Sequence, residues 1–210
     1  MIAPDVKTRI PRRERWRPVA IRARLLAPGK GWCRLIATSN YMVVFRIVHI
    51  VAGVIWVGSV FLLVVYLQPS AAAIAPAGAP LMSELLGKRR LVDGILTAAG
   101  ITVLGGLFIY WRDWHTYPSF GDWIGSAFGA TLSFGAICAI AAMGVGASVT
   151  RPNVRRMLAL GRQVAESGGP PAPEVAAEIG AIQQRLKVAA RISFALLIVA
   201  VVCMASARYA

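Results

Sequence analysis

Acidic residues are scarce in this chain, and cysteine and histidine are scarcer still. Nine Asp and Glu stand against 23 Lys and Arg, with 3 cysteines and 2 histidines among 210 residues. No two cysteines form a CxxC pair, which argues against a disulfide framework and a thiolate zinc site. No glycine-rich loop follows a strand-like segment, and no Ser/His/Asp arrangement can be assembled from the spacing. Hydrolase and nucleotide-enzyme functions are therefore not supported.

Apolar residues are abundant instead. They make up 57% of the chain and charged residues 15%, whereas soluble domains have roughly 45–50% and about 25%. A membrane-spanning helix needs roughly 20 predominantly apolar residues, and four segments satisfy this, at about 41–67, 91–111, 125–149 and 188–207. They lack the alternation of barrel strands. The sequence predicts an all-α integral membrane four-helix bundle.

Two polar segments flank or interrupt these spans. Residues 1–40 form a basic arm, and residues 41–210 form the predicted membrane domain. The arm has no apolar run long enough for a cleaved signal peptide, and translation from Met42 is an open alternative. Between the third and fourth spans we predict a polar hairpin of two helices, 154–166 and 174–187, broken by the Gly and Pro residues of 167–171.

The formal net charge is +14, which calls for an anionic partner. No nucleic-acid module is visible, so anionic lipid headgroups are the expected partner. Five basic residues flank the spans on the side of the termini, and ten lie on the side of the two connecting hairpins. The positive-inside rule then places the hairpins in the cytoplasm and both termini outside. The eight remaining positive charges of the arm oppose this orientation.

One acid and one pattern of small residues inside the spans require comment. Asp93, near the start of the second span, has no evident partner and is expected at the interface or facing protein. Small residues recur at four-residue spacing in the third span, for example Ala142 and Gly146. This spacing permits close helix approach and predicts packing only.

The first span contains the pattern that points to a cofactor. Arg46, His49, Gly53 and Trp56 fall on one helical stripe, at i−3, i, i+4 and i+7. These residues suit a flat cofactor such as a porphyrin. The imidazole provides a ligand, Gly53 leaves a gap for the ring, and Arg46 provides a cation for a propionate. Two alternatives remain open. Gly53 serves helix packing, or Arg46 extends to lipid headgroups.

The second histidine, His115, lies in the loop on the same membrane side as His49. It is a candidate second haem ligand, or one arm of a copper site with His49, for which Met42 is a further candidate ligand. The neighbouring loop is rich in Trp and Tyr, as at a membrane interface, and an exposed interfacial histidine is the alternative.

The stretch from His49 to Ser59, of the form H-x6-W-x-G, resembles the first helix of a loose group of bacterial membrane proteins. The group includes the copper-resistance D domain, HemJ-type protoporphyrinogen oxidase and the membrane part of a urate oxidase. The resemblance extends to the four-span plan and implies that His49 is an axial ligand of b-type haem in a bacterial plasma membrane. The third-span lysine of the HemJ-type enzyme is missing here, which argues against that activity.

Three functions follow as hypotheses. The first is a b-type haem protein for electron transfer or a subunit of a redox complex, without independent catalytic activity. The second is a copper-handling membrane protein that uses His49 and His115. The third is a cofactor-free subunit whose arm and hairpin bind a larger membrane complex.

Overall fold

A computed structural model describes the backbone of residues 31–210 and the side chains of residues 41–210. The side chains of the predicted basic arm, residues 1–40, lie outside the described residues. Within the described part the chain forms helices and no strands. The α-helices are α1 Gly31–Leu62, α2 Gln68–Ala73, α3 Gly78–Ser83, α4 Leu91–Trp114, α5 Phe120–Gly125, α6 Ala127–Val145, α7 Arg151–Ser167 and α8 Pro173–Ser206.

Three π-helical turns and one short helix complete this order. The π turns Leu63–Leu67, Glu84–Lys88 and Gly146–Thr150 join or extend their neighbouring helices, and a 3₁₀ turn, Ala207–Tyr209, follows α8. The π turns Leu63–Leu67 and Gly146–Thr150 run directly into the next helix, so the chain has fewer breaks than the number of helices suggests.

Four helical segments are long and apolar enough to cross a membrane: Tyr41–Ala73, Leu91–Trp114, Ala127–Ser167 and Pro173–Tyr209. Large apolar side chains point outward from them, and Val54 and Leu104 are 67% and 70% exposed. Such surfaces are stable only against lipid. The predicted all-α four-helix membrane bundle is confirmed, and the chain is a multi-pass integral membrane protein in contact with lipid.

The predicted hairpin helices, 154–166 and 174–187, are both present, but each is continuous with its neighbouring span. The third span continues through the π turn Gly146–Thr150 into α7, and the predicted helix 174–187 and fourth span are one helix, α8. Pro152 lies in the first turn of α7, where the missing N–H of proline is tolerated beside the widened π turn. The break itself is confirmed, because α7 ends at Ser167 and the next residue, Gly168, has a φ of 65°.

Neighbouring helices run antiparallel. Contacts between α1 and α4 pair later residues of α1 with earlier residues of α4. The rings of Phe45 and Phe108 form one such contact, and His49 and Thr102 form the next. Helix α1 also meets α8, where the rings of Phe61 and Phe194 are 5.9 Å apart. These contacts close the four spans into a bundle.

The core of the bundle is one indole surrounded by small residues. Trp56 of α1 is 3% exposed and packs in a cluster with Ala98, Ala99, Cys138, Ala139, Ala142, Leu197 and Ala200. These residues come from α4, α6 and α8, so the cluster joins α1 to all the other spans. In a membrane, where lipid is as apolar as the core, such close packing holds helices together.

Asp93 has a partner that its sequence position did not reveal. Its Oδ1 accepts a hydrogen bond from Arg151 Nε at 2.7 Å, and Arg155 lies 3.7 Å away. Both arginines belong to α7, while Asp93 is in the first turn of α4. The expectation was that Asp93 sits at the interface or faces protein, and its contact with Arg151 agrees with this. The ion pair links α4 to the hairpin.

Replacing the central indole tests the packing model. We expect Trp56→Ala to lower the free energy of unfolding by roughly 3 kcal/mol, because the surrounding alanines and backbone cannot fill the cavity. The adjacent Ile55→Ala is the matched control, since Ile55 is 54% exposed to lipid and its loss should cost less than about 1 kcal/mol. Reversible unfolding in mixed micelles measures both, and equal losses would contradict the model.

Candidate functional site

His49 makes one directed contact with the neighbouring helix. Its Nδ1 lies 2.7 Å from the backbone carbonyl oxygen of Thr102 in α4. A carbonyl oxygen only accepts, so we assign the proton to Nδ1 as the donor. The neutral imidazole then has its free lone pair on Nε2. This is the arrangement by which a backbone carbonyl fixes a histidine tautomer for ligation through the other nitrogen.

The space for this imidazole is provided by glycines of α4. A Cβ on Gly106 would lie 2.7 Å from His49 Cε1, closer than real contacts allow, and 3.1 Å from Nδ1, which is a tight contact. At Gly105 the corresponding distance is 3.4 Å, to His49 Cβ. The missing side chain at Gly106 therefore lets the histidine approach the α4 backbone, and a Cβ at Gly105 would make a close but ordinary contact.

Gly53, predicted as the gap beside the imidazole, has a different environment. A Cβ there would meet Thr102 Cγ2 at 3.5 Å, an ordinary van der Waals contact. The gap used by His49 is on the partner helix, and the sequence signal for it was the Gly105–Gly106 doublet inside an apolar span.

A cleft of about 190 Å³ opens beside His49 between α1, α4, α6 and α8. We call this the His49 cleft. Residues of all four helices line it: Arg46, His49, Ile50, Thr102, Val103, Gly106, Leu107, Ile109, Tyr110, Leu132, Ala136, Ala139, Ile140 and Met204. Most of these side chains are apolar. The sequence interpretation missed Tyr110 and Met204, which come from helices distant in the chain.

The hydroxyl of Tyr110 is held by a chain of hydrogen bonds. Ser133 Oγ donates to the Gly129 carbonyl at 2.6 Å, so Tyr110 donates to Ser133 Oγ at 2.8 Å. Trp123 Nε1 in turn donates to the Tyr110 hydroxyl at 2.8 Å. Trp123 is fully buried. The network links α4, α5 and α6 and fixes the wall of the cleft.

Arg46 also lines the His49 cleft, one helical turn from His49. Its side chain is 59% exposed, and its guanidinium is 4.0 Å from Asp113 Oδ1. A solvent-accessible ion pair at that distance contributes little to stability. The Arg46 cation therefore remains available to an anionic group at the cleft.

The structure separates the other two predicted residues from this cleft. Trp56 belongs to the alanine-rich core and lines a different cleft. His115 caps the end of α4, exposed, with Nδ1 2.7 Å from the Trp111 carbonyl. It lies nine residues beyond Gly106, a rise of about 13 Å along the helix. Arg46 and His49 are therefore brought together, whereas Trp56 and His115 are not.

Metal ligands are sparse near His49. No group of three or more His, Cys, Asp or Glu side chains that would suit a metal ion occurs among the described residues. Met42, considered beside His49 for copper, is buried and does not line the His49 cleft, but Met204 does.

A methyl group at Gly106 tests the position of the imidazole. We expect Gly106→Ala to displace the ring and break the bond to Thr102, costing roughly 1–3 kcal/mol relative to Gly100→Ala. Gly100 is the matched control in the same helix, because a Cβ there meets nothing within 4 Å. Unfolding measurements and ¹⁵N spectra of labelled histidine report both effects. Retention of the Nδ1–H tautomer in Gly106→Ala would contradict the geometry.

Comparisons with family models, with curated proteins and with solved structures gave no match for this chain. The resemblance of the first helix to the haem-associated and copper-associated group stays a prediction. Support for a function comes from the geometry around His49.

Proposed function

We propose that this integral membrane protein binds a b-type haem through His49 Nε2 and serves electron transfer in a bacterial plasma membrane. The observation that carries the proposal is the 2.7 Å contact between His49 Nδ1 and the Thr102 carbonyl. This bond commits the proton to Nδ1 and leaves the Nε2 lone pair free, as ligation of a metal through Nε2 would require. The resemblance of the H-x6-W-x-G helix supports the same role.

The side chains around His49 suit the proposed group in donor type. The imidazole provides an axial nitrogen, Met204 places a thioether in the same cleft, and Arg46 offers a cation for a propionate. Haem iron accepts both His and Met ligands. The apolar walls provide the dry surroundings that a macrocycle requires.

The volume fits only in part. The cleft of about 190 Å³ is below the roughly 300–1,000 Å³ of pockets that enclose drug-sized ligands. Binding therefore requires side chains at its margin to move. Ile50, Leu107 and Ile140 line the cleft and are 60%, 44% and 42% exposed, so they can be displaced without opening the Trp56 core.

A bound b-type haem supplies one-electron chemistry, and the chain supplies its setting. His49 holds the ligating nitrogen in place, because its ring is confined between Thr102 and Gly106. The Thr102 carbonyl strengthens the imidazole as a ligand by accepting the hydrogen bond from Nδ1–H. The apolar side chains exclude water, and Arg46 would provide a cation for a propionate.

The absorption spectrum of detergent-purified protein, oxidised and dithionite-reduced, tests this function. We expect a Soret band with reduced α and β bands that His49→Ala abolishes. His115→Ala is the matched control and should leave the spectrum unchanged, since His115 lies outside the His49 cleft. A colourless protein from haem-replete cells, or a spectrum that His49→Ala leaves intact, would contradict the proposal.

Copper handling is the second candidate, favoured by the presence of His49 and Met204 in one cleft. Imidazole and thioether together suit Cu(I). Metal analysis of the same samples separates the two functions. Bound copper without a Soret band, lost in both His49→Ala and Met204→Leu, would favour copper over haem.

The proposed orientation places both termini outside and both hairpins in the cytoplasm, from the ten basic residues on the hairpin side against five on the other. In a chain with its three cysteines replaced by alanine, we expect Ser119→Cys to react with a membrane-impermeant maleimide on intact cells. Ser167→Cys, in the α7–α8 hairpin, should react only after lysis. The reverse pattern would overturn the orientation.

A further inference from the structure

Ser193 has a buried hydroxyl without a hydrogen-bond partner. The residue lies in α8 at 8% exposure, and its Oγ has no partner in the described part of the protein. Other hydroxyls in the spans donate to the carbonyl four residues earlier, as Ser148 does to Gly144 at 2.6 Å. Ser193 makes no such bond to Ala189. Because an unsatisfied buried donor costs free energy, this hydroxyl calls for an acceptor from outside the chain.

Ser193 belongs to the wall of a second cleft of about 100 Å³, which we call the Ser193 cleft. The α8 residues in this wall are Leu186, Ala190 and Ser193, whose spacing puts them on one face of the helix. One turn further along the same face, Leu197 joins the Trp56 core. The unpartnered hydroxyl is therefore at the inner end of the α8 wall.

The walls of the Ser193 cleft are uncharged. None of the described residues that line it is Asp, Glu, Lys or Arg, and the polar side-chain groups besides Ser193 belong to Gln68, Thr150 and the indole of Trp56. An ionised occupant would lack a counter-charge, which makes its burial costly. All four polar side chains can donate a hydrogen bond, and the indole N–H only donates. The walls thus match a neutral molecule that accepts.

Water does not meet these conditions. The cleft exceeds the roughly 10–15 Å³ that one water needs, but a buried water also requires two to four polar partners. Gln68 and Trp56 are twelve residues apart on one continuous helical segment, Tyr41–Ala73, so no single water contacts both. A molecule with one acceptor and an apolar body suits the mostly apolar walls better.

The lining also contains side chains that can move to admit such a molecule. Ser193 Oγ is sealed from solvent, so an occupant reaches it when a neighbouring side chain shifts. Met82 and Met143 line the cleft, and the unbranched thioether side chain adapts readily to the shape of a ligand.

We propose that the Ser193 cleft binds one neutral, lipid-soluble molecule that has a carbonyl group on an apolar body. The Ser193 hydroxyl donates to this carbonyl, and the apolar body packs against the walls. A quinone and a diacylglycerol share this chemistry and both dissolve in the membrane. Such an occupant accounts for the unpartnered hydroxyl and the uncharged walls together. The site does not depend on haem or copper binding at His49.

Ligand titration of the full-length protein tests the site. The protein, purified in mild detergent, is titrated with decyl-benzoquinone, with dioctanoylglycerol or with decylbenzene, which has no carbonyl. Native mass spectrometry counts the bound molecules, and melting temperature is the second readout. We expect at least one carbonyl compound to bind more tightly than decylbenzene, and its affinity to fall about fivefold in Ser193→Ala. This substitution removes an unsatisfied group and should fold normally.

Two further variants separate the hydrogen bond from packing. Ser193→Cys keeps a side chain of similar shape with a weak donor, and it should bind as weakly as Ser193→Ala. Ser148→Ala is the matched control, because it removes a helical hydroxyl outside the cleft lining, and it should retain the wild-type affinity.

The tighter binder of the two carbonyl compounds identifies the source, and either one supports the proposal. The proposal is overturned if neither binds, if decylbenzene binds as tightly as both, or if Ser193→Ala keeps the wild-type affinity. An equal loss in Ser148→Ala would also overturn it.

Discussion

A histidine inside a membrane must satisfy a donor and an acceptor without water, and this constraint organises one half of the bundle. His49 meets it by donating to the Thr102 carbonyl at 2.7 Å. The bond requires α1 and α4 to approach closely, which Gly105 and Gly106 permit. The same approach commits the imidazole proton to Nδ1 and leaves Nε2 for a ligand. The free Nε2 in the His49 cleft thus follows from the hydrogen-bonding requirement of a single side chain.

The two ends of the bundle have different chemistry, and the Trp56 core lies between their clefts. The end with Arg46 also has the aromatic network of Tyr110 and Trp123, whose hydrogen bonds hold one wall of the His49 cleft. The opposite end has the Asp93 ion pair and the basic hairpin. Because the cluster around Trp56 contains residues of all four spans and lines both clefts, the clefts share one packed centre.

Much of the fold was predictable, because span length and hydropathy are local properties of the chain. The four apolar runs and the Gly168 break were recognised from composition and turn residues. The continuity of the third span with α7 was not predicted. A helix crosses the membrane boundary without a break when the polar residues beyond that boundary still favour helix. The start of α1 at Gly31, before the predicted first span, has the same cause. A hydropathy pattern marks where a helix leaves lipid and does not mark where it ends.

By itself the sequence determined the helical class, the number of spans and the placement of Arg46 and His49 on one face, because helical periodicity and bilayer thickness act on neighbouring residues. Only the tertiary structure decided which residues join them. Gly106 rather than Gly53 makes room for the imidazole, Trp56 turns into the core, His115 lies apart, and Met204 and Tyr110 line the cleft. Packing between helices sets those contacts, and it depends on how α1, α4, α6 and α8 rotate against one another, which periodicity within a single helix does not specify.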